Sequence, residues 1–311
     1  MKLLFGIDIG GTDIKLAVLS VDGDVLKEGV VPTLAGNGPG QAADRVKVWA
    51  EANLPEGGEL IAAGVGCAGL IESESGIVVS SPNLREWAGT SLLKLYSGRF
   101  DVPVVVANDA NCAAYGEYHM GSGKGTRVFV CVTLGTGVGG GIVIDGKLFT
   151  GSAGFAGEIG HMVIDPAGPV CTCGKRGCLE AFIGADAIVR EAKRRMTAKS
   201  GGAVSSTEDL TVRDIAVAAS RGDEVAVEVL ADTGALLGAG LADIAHIINP
   251  DRIAIGGGVS GAGELILAPA RKRFAELLMH EALGKVEIVQ AELGNTASSI
   301  GAALLARGRF V

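Results

Sequence analysis

K-L-L-F-G-I-D-I-G-G-T-D-I-K-L-A-V-L, Lys2 to Leu19, decides the fold. A buried strand is an unbroken apolar run, and here one runs into Gly10-Gly11-Thr12 and resumes at 14–19. Strand, glycine turn, strand makes a hairpin. About 125 residues later V-F-V-C-V-T-L-G-T-G-V-G-G-G-I-V-I, Val128 to Ile144, repeats the pattern: an apolar strand at 128–134, a turn from Gly135-Thr136-Gly137 through Gly141, and a strand at 142–144. Either turn alone could be an ordinary hairpin turn. Recurrence predicts two related lobes, each offering a glycine turn to one phosphate chain from opposite sides.

The length of 311 residues suits two domains with separate cores and a cleft between them. Apolar residues make up 48% of the chain and charged residues 20%, the balance of a compact soluble protein. The 49 glycines exceed the usual share of about 7% and point to loops where backbone closely approaches something. A net charge of −8 argues against a nucleic-acid surface. No signal segment is expected at the N-terminus and no apolar run of membrane-spanning length. Cys67, Cys112 and Cys131 lie far apart in apolar contexts, which fits core residues in the reducing cytoplasm.

Between and beyond the hairpins the pattern predicts strands at 25–31, 60–66, 102–107, 253–255 and 286–289. Helices are expected at 41–52, 110–120, 185–196, 210–220, 223–248, 264–278 and 298–307, with a polar loop at 198–206. Gly121 to Gly125 reads as a hinge. The expected division is a small lobe of residues 1–120, on which a C-terminal helix at 296–311 packs back, and a large lobe of residues 121–295.

Candidate site residues fall into three groups. The first is the turn D-I-G-G-T-D-I-K, where Gly10, Gly11, Thr12 and Lys15 could cradle a phosphate and Asp8 could hold hydrated Mg²⁺. Gly135, Thr136 and Gly137 are its counterpart, and Gly257-Gly258 after the strand at 253–255 suits a nucleotide's sugar or base, or forms a plain tight turn. The second group is Asn108-Asp109 at a strand end and helix start, where open α/β sheets keep their ligands. Asn83, in the loop at 80–87, offers an amide to hydroxyls or serves only its own turn.

The third group runs from Glu158 to Glu180. Cys171, Cys173 and Cys178 fall within eight residues, with His161 ten residues ahead. Three thiolates and one imidazole make a closed tetrahedral structural zinc site. A closed site has no catalytic opening, so the metal is expected to clamp Glu158, His161 and Glu180 where a ligand can meet them. Together these features suggest phosphoryl transfer from a nucleotide to a hydroxyl, with Asp109 as the base and Asn83, Asn108, Glu158, His161 and Glu180 gripping the other hydroxyls of a polyhydroxylated ring.

D-I-G-G-T at Asp8, N-D-A-N at Asn108, L-G-T-G-V-G-G-G at Leu134, G-E-I-G-H at Gly157 and C-T-C-G-K-R-G-C-L-E at Cys171 together resemble the ROK family of repressors, open reading frames and sugar kinases. The resemblance covers essentially the whole chain. It implies an α/β, two-lobed actin-like (ribonuclease H-like) ATPase fold with a ligand cleft between the lobes. It further implies an ATP- and Mg²⁺-dependent hexose kinase acting at the sugar 6-hydroxyl, with Asp109 as base. The residue matching His161 can serve zinc with one ring nitrogen and sugar with the other, and those matching Glu158 and Glu180 hold ring hydroxyls. Many members are dimers or tetramers. P-N-L-R-E-W at Pro82 is similar to the glucokinase members and favours glucose over N-acetylated amino sugars. Asp13 stands where many members have Lys, which leaves open whether Asp13 or Lys15 reaches the phosphates. Starting its first strand at Lys2, the chain is expected to lack the helix-turn-helix of the family's repressors.

Overall fold

The computed structural model describes residues 1–199 and 209–311; residues 200–206 of the expected polar loop lie outside them. In chain order the elements are β1 Lys2–Ile9, β2 Asp13–Ser20, β3 Val25–Pro32, α1 Gly38–Asn53, β4 Glu59–Cys67, β5 Leu70–Glu72, β6 Ile77–Ser80, α2 Leu92–Phe100, β7 Val104–Asn108 and α3 Asp109–Met120. Then come β8 Val128–Leu134, β9 Val138–Ile144, β10 Lys147–Leu148, α4 Glu180–Ile183, α5 Ala185–Lys199, α6 Val212–Ser220, α7 Glu224–Ile248, β11 Arg252–Gly256, α8 Glu264–Leu277, β12 Glu287–Gln290 and α9 Ala297–Phe310.

Two five-stranded sheets carry the same order. The first is β3-β2-β1-β4-β7 and the second β10-β9-β8-β11-β12. Each has its first strand at the centre, an antiparallel hairpin on one side and parallel strands on the other. The repeat read from the glycine turns is therefore a repeat of topology.

The chain forms two compact units, Met1–Gly125 with Gly141–Gly157 and Leu293–Val311, and Thr126–Gly140 with Glu158–Glu292. This differs from the division expected at 120 and 295 chiefly in segment 141–157. Gly141 has no Cβ, and one built there would stand 2.5 Å from the Ala114 Cβ on α3, so this stretch lies against the first unit. Strand β9 starts at Val138, which puts Gly139 to Gly141 inside a strand where the sequence suggested a longer turn.

In the first unit β1 is sealed from Leu3 to Ile9, and its two faces differ in kind. Leu3, Phe5, Ile7 and Ile9 enter one core with Ala42, Val46, Trp87, Leu92 and Tyr96. On the opposite face Gly6 pairs with Gly64, and Asp8 with Gly66. A Cβ on Gly6 would lie 1.8 Å from the Ser299 carbonyl oxygen, and one on Gly64 1.8 Å from that of Ala302. Helix α9 thus rests directly on the sheet backbone. Gly64→Ala should lower the unfolding free energy by about 3 kcal/mol or more, because the α9 backbone has to move away. Urea unfolding measures this, and a change below about 0.5 kcal/mol would contradict the packing.

Caps fix where the helices begin. Ser91 accepts from Lys94 N, Asp223 from Ala226 N, and Thr211 with Asp214 forms a reciprocal capping box. Helix α7 stops at Asn249, in the left-handed region at φ 47°, just before Pro250. It is 25 residues long, and an 18-residue window of it has mean hydropathy 1.5, which meets the length and composition of a membrane span, an exception to the expectation that no run would. That composition has an internal explanation: Val225, Val229, Leu230, Leu237, Leu241 and Ile244 are all buried, and Gly234 and Gly238 lie against the Ile266 and Ala270 carbonyls of α8.

Candidate active site

In the first unit β1 and β2 deliver the turn Gly10-Gly11-Thr12. Gly10 N donates to Asp13 O at 3.0 Å. Thr33, fully buried, donates its hydroxyl to Gly10 O at 2.8 Å, and its N–H bonds Thr12 O at 2.8 Å. The turn is thus propped from beneath, by a residue that sequence reasoning missed. A Cβ on Gly11 would stand 2.8 Å from the Asn83 Cβ, so the exposed Asn83 sits directly against the turn. Trp87 anchors the Asn83 loop from within the core, its Nε1 donating to Ala35 O at 3.1 Å.

Asp8 is 7% exposed, with the Lys15 ammonium 3.6 Å from its Oδ2. Burial raises its pKa, against the pull of Lys15 and of the Ser298 hydroxyl. Lys15 is therefore directed to Asp8, whereas the Asp13 side chain is exposed.

Asn108 closes β7 and caps α3. Its Oδ1 accepts from Ala110 N at 2.8 Å and Asn111 N at 3.2 Å, and its Nδ2 donates to Gly69 O at 2.9 Å. The cap leaves one amide N–H of Asn108 for anything else. Asp109, the first residue of α3, is half-buried and accepts from Ala110 N through Oδ1 at 2.9 Å. Burial first, then the nearby Asp8 charge, push its pKa up to about 6. Three buried polar atoms around these residues have no hydrogen-bond partner: Ser81 Oγ, packed against Gly69, Asn111 Oδ1 and Ser298 Oγ. Orphaned polar atoms gathered at one place mark a site built for something other than stability.

In the second unit His161, Cys171, Cys173 and Cys178 bring their ligand atoms within 4.8 Å of one another. Cys173 Sγ and Cys178 Sγ are 3.7 Å apart, and Cys171 Sγ lies 3.6 Å from His161 Nδ1. Tetrahedral zinc with Zn–S near 2.3 Å would place its sulfurs about 3.8 Å apart, so the donor set fits. The other ring nitrogen, His161 Nε2, faces Glu158 Oε2 at 3.9 Å. Burial raises the Glu158 pKa, His161 lowers it and Glu180 adds to the rise.

Glu180 joins this cluster to the second glycine turn. Its Oε1 accepts from the Thr172 hydroxyl at 2.6 Å and from Cys171 Sγ at 3.3 Å; its Oε2 accepts from Val138 N at 3.0 Å. A Cβ on Gly137 would lie 2.6 Å from that Oε2, so a larger residue there would displace the Glu180 carboxylate. Gly135 N donates to Gly137 O at 2.9 Å, and Ala185 N to Gly135 O at 2.9 Å. Gly257, at φ +83°, packs its backbone against Leu134, the residue before the turn. The structure thus groups the candidate residues of each unit: Asp8, Gly10 to Thr12, Lys15, Asn83, Asn108 and Asp109 in the first, and the metal ligands, Glu158, Glu180, the 135–137 turn and Gly257-Gly258 in the second.

The model of the ROK family matches residues 4–309. This chain belongs to the ROK family. It is 39% identical over 315 residues to a glucokinase of Streptomyces coelicolor, covering 99% of this chain and 98% of the relative. It is 37% identical over 316 residues to a glucokinase of Thermotoga maritima, with the same coverage. A ROK glucokinase from Streptomyces griseus, solved in complex with glucose and AMPPNP, superposes with a TM-score of 0.84 at 38% identity, over 98% of this chain and 99% of that one. The two-lobed actin-like fold implied by the sequence is the fold of this ROK chain.

The ROK motifs marked which residue types matter; they did not mark the supports. Thr33 lies in no motif, and Thr172, although inside the cysteine motif, was assigned no role by it; each acts through a contact remote in sequence or formed only when its loop closes. Thr33 follows the expected strand at 25–31, and its partner Gly10 lies 23 residues away.

Proposed function

We propose that this chain is an ATP-dependent glucokinase that transfers the γ-phosphoryl group to the 6-hydroxyl of glucose. The observation that carries the reading is Asp109, a half-buried carboxylate at a strand-to-helix junction with a pKa of about 6. At neutral pH it is ionised yet basic enough to accept the proton of an attacking hydroxyl. The remaining N–H of Asn108 and the amide of Asn83 are candidate donors for sugar hydroxyls, and Glu158, Glu180 and His161 Nε2–H are candidate acceptors and a donor. The glucose and AMPPNP in complex with the S. griseus relative support both the sugar and the nucleotide.

Transfer of this kind needs positioning and charge neutralisation more than covalent chemistry. Backbone N–H groups at Gly11, Thr12, Thr136, Gly137, Gly257 and Gly258 are the phosphate and nucleotide donors of this reading, while Gly10 and Gly135 spend theirs closing the two turns, and Lys15 adds positive charge. Mg²⁺ would shield the phosphates, and Asp8 is the carboxylate placed to hold its water shell. His161, Cys171, Cys173 and Cys178 would hold a structural zinc whose four protein ligands leave no position for substrate. All six cysteines are free, which suits a cytoplasmic enzyme. A dimer or tetramer acting without nucleic acid or membrane completes the reading.

An ADP-release assay across glucose, mannose, N-acetylglucosamine and N-acetylmannosamine tests it, with a product assay for polyphosphate as donor. Glucose with ATP should give the highest kcat/KM. Higher kcat/KM with an N-acetylated sugar would reassign the substrate within the family, and no turnover with any hexose and either donor would overturn the kinase reading.

A further inference from the structure

Asp8 sits on the face of β1 that α9 covers. Side chains alternate along a strand, so Gly6 and Asp8 point one way while Phe5, Ile7 and Ile9 enter the opposite core. In the parallel pairing Gly64 and Gly66 of β4 stand beside Gly6 and Asp8 on that same face. The α9 backbone meets Gly6 through Ser299 and Gly64 through Ala302, and it meets Gly66 through the Ser298 side chain: a Cβ on Gly66 would be 2.9 Å from Ser298 Oγ. The first turn of α9 therefore ends at the level of Asp8, and what it presents there is a hydroxyl.

That hydroxyl is sealed from water and makes no full hydrogen bond. A buried hydroxyl without a partner is costly, and Ala at this position would be cheaper for stability alone. Beside it, the Asp8 carboxylate has spare acceptor sites: its ion-pair partner Lys15 stands at 3.6 Å, longer than a hydrogen bond. The other side chain at Gly66, Cys112, with its Sγ 3.2 Å from the built Cβ, is a neutral thiol and a weak acceptor. The Ser298 hydroxyl lies close enough to the Asp8 carboxylate to lower its pKa as a hydrogen-bond donor does, although the contact falls short of full hydrogen-bond geometry. An incompletely satisfied donor thus adjoins a buried carboxylate whose ion pair with Lys15 leaves acceptor sites open.

We propose that Ser298 is a positioning residue for the nucleotide site: its hydroxyl donates to the Asp8 carboxylate and holds it in the orientation that receives the hydrated cation of a metal–nucleotide complex. The inference rests on the kinase reading above. It gives α9, the last helix of the chain, a part in nucleotide binding that no glycine motif signals. With Ser298 removed, Asp8 keeps Lys15 alone, turns toward that ammonium, and offers the cation a less ordered acceptor.

Titration calorimetry of the full chain with Mg·AMPPNP and, separately, with glucose tests this, alongside the Mg²⁺ concentration that half-saturates turnover. S298A should weaken Mg·AMPPNP binding about tenfold, the loss of one hydrogen bond to a charged group, and raise the Mg²⁺ requirement in parallel. Glucose affinity should stay within about twofold, since no sugar contact is removed. The control is S299A, which deletes a hydroxyl of the same helix turn whose bond goes to Thr296 O; it should leave both ligands unaffected. Equal nucleotide affinity in S298A and wild type, or an equal loss in S299A, would overturn the inference while leaving the kinase reading intact. Wild-type protein that fails to bind Mg·AMPPNP at all would sink both.

Discussion

Asp109→Asn should lower kcat for glucose phosphorylation on the order of 10³-fold, the usual worth of a positioned general base, with a much smaller change in the KM for glucose. Asparagine keeps the shape of the side chain, and its carbonyl can still accept from Ala110 N as Oδ1 does now. What it loses is the ability to take a proton. The two carboxylates of the first unit make the loss legible in pH as well. Burial and the neighbouring Asp8 raise the Asp109 pKa to about 6, and the raised group acts as base only when ionised. Wild-type kcat/KM should therefore hold above that value and fall as pH drops through about 6. Because Asp8 and Asp109 influence each other, the measured midpoint belongs to the pair. The variant should be slow at every pH and lack this limb. A pH–rate series on both proteins checks the assignment: near-normal turnover in the variant, or an unchanged acid limb, would remove Asp109 from the role of base.

The same pair shows how far sequence carried the fold and where it stopped. Strands β1 and β8 were legible residue for residue, Lys2–Ile9 and Val128–Leu134, because a strand buried on both faces is an apolar run with abrupt ends. Helix α7 was legible from its periodicity and Pro250, with Asp223 turning out to be its cap and not its first residue. The short hairpin of β5 and β6 was not read, although Gly76 at φ +64° marks its turn; two strands of three and four residues give too few alternations to register. In the site, composition identified Asn108 and Glu180 as polar residues at meaningful positions but could not reveal that each is already bonded to backbone: Asn108 as a helix cap, Glu180 to Val138 N. Ser298 was hidden for a related reason. Its neighbour Asp8 is 290 residues away, and only the register of two strands under one helix brings them together.

Removing the metal should have the second large effect, although the metal touches no reacting atom. The segment from Met162 to Leu179 is held to itself by backbone hydrogen bonds, such as Leu179 N to Met162 O at 2.8 Å and Gly177 N to Pro169 O at 2.9 Å, but the apolar cluster it builds with Ala181 is small, Cys171 and Cys178. Gly174 and Gly177 bend it at φ +83° and +74°, conformations that cost backbone entropy to fix. Cross-linking His161 to three cysteines supplies the missing constraint, as structural zinc does in domains with small cores. The consequence travels through Glu180, whose carboxylate is held by Thr172 from within the cysteine loop and in turn holds Val138 N at the second glycine turn. Purified protein should carry about one zinc per chain. Cys178→Ser, which replaces a thiolate ligand buried to 1% exposure, should lose it and lower kcat/KM by about 100-fold, with a melting temperature reduced by several degrees. Chelation of wild type should reproduce both losses, and added Zn²⁺ should reverse them in wild type but not in the variant. Full turnover from protein shown by elemental analysis to be metal-free would mean that the four-residue cluster holds the loop by itself, and the route from the cysteines through Glu180 to the glycine turn would have no part in activity.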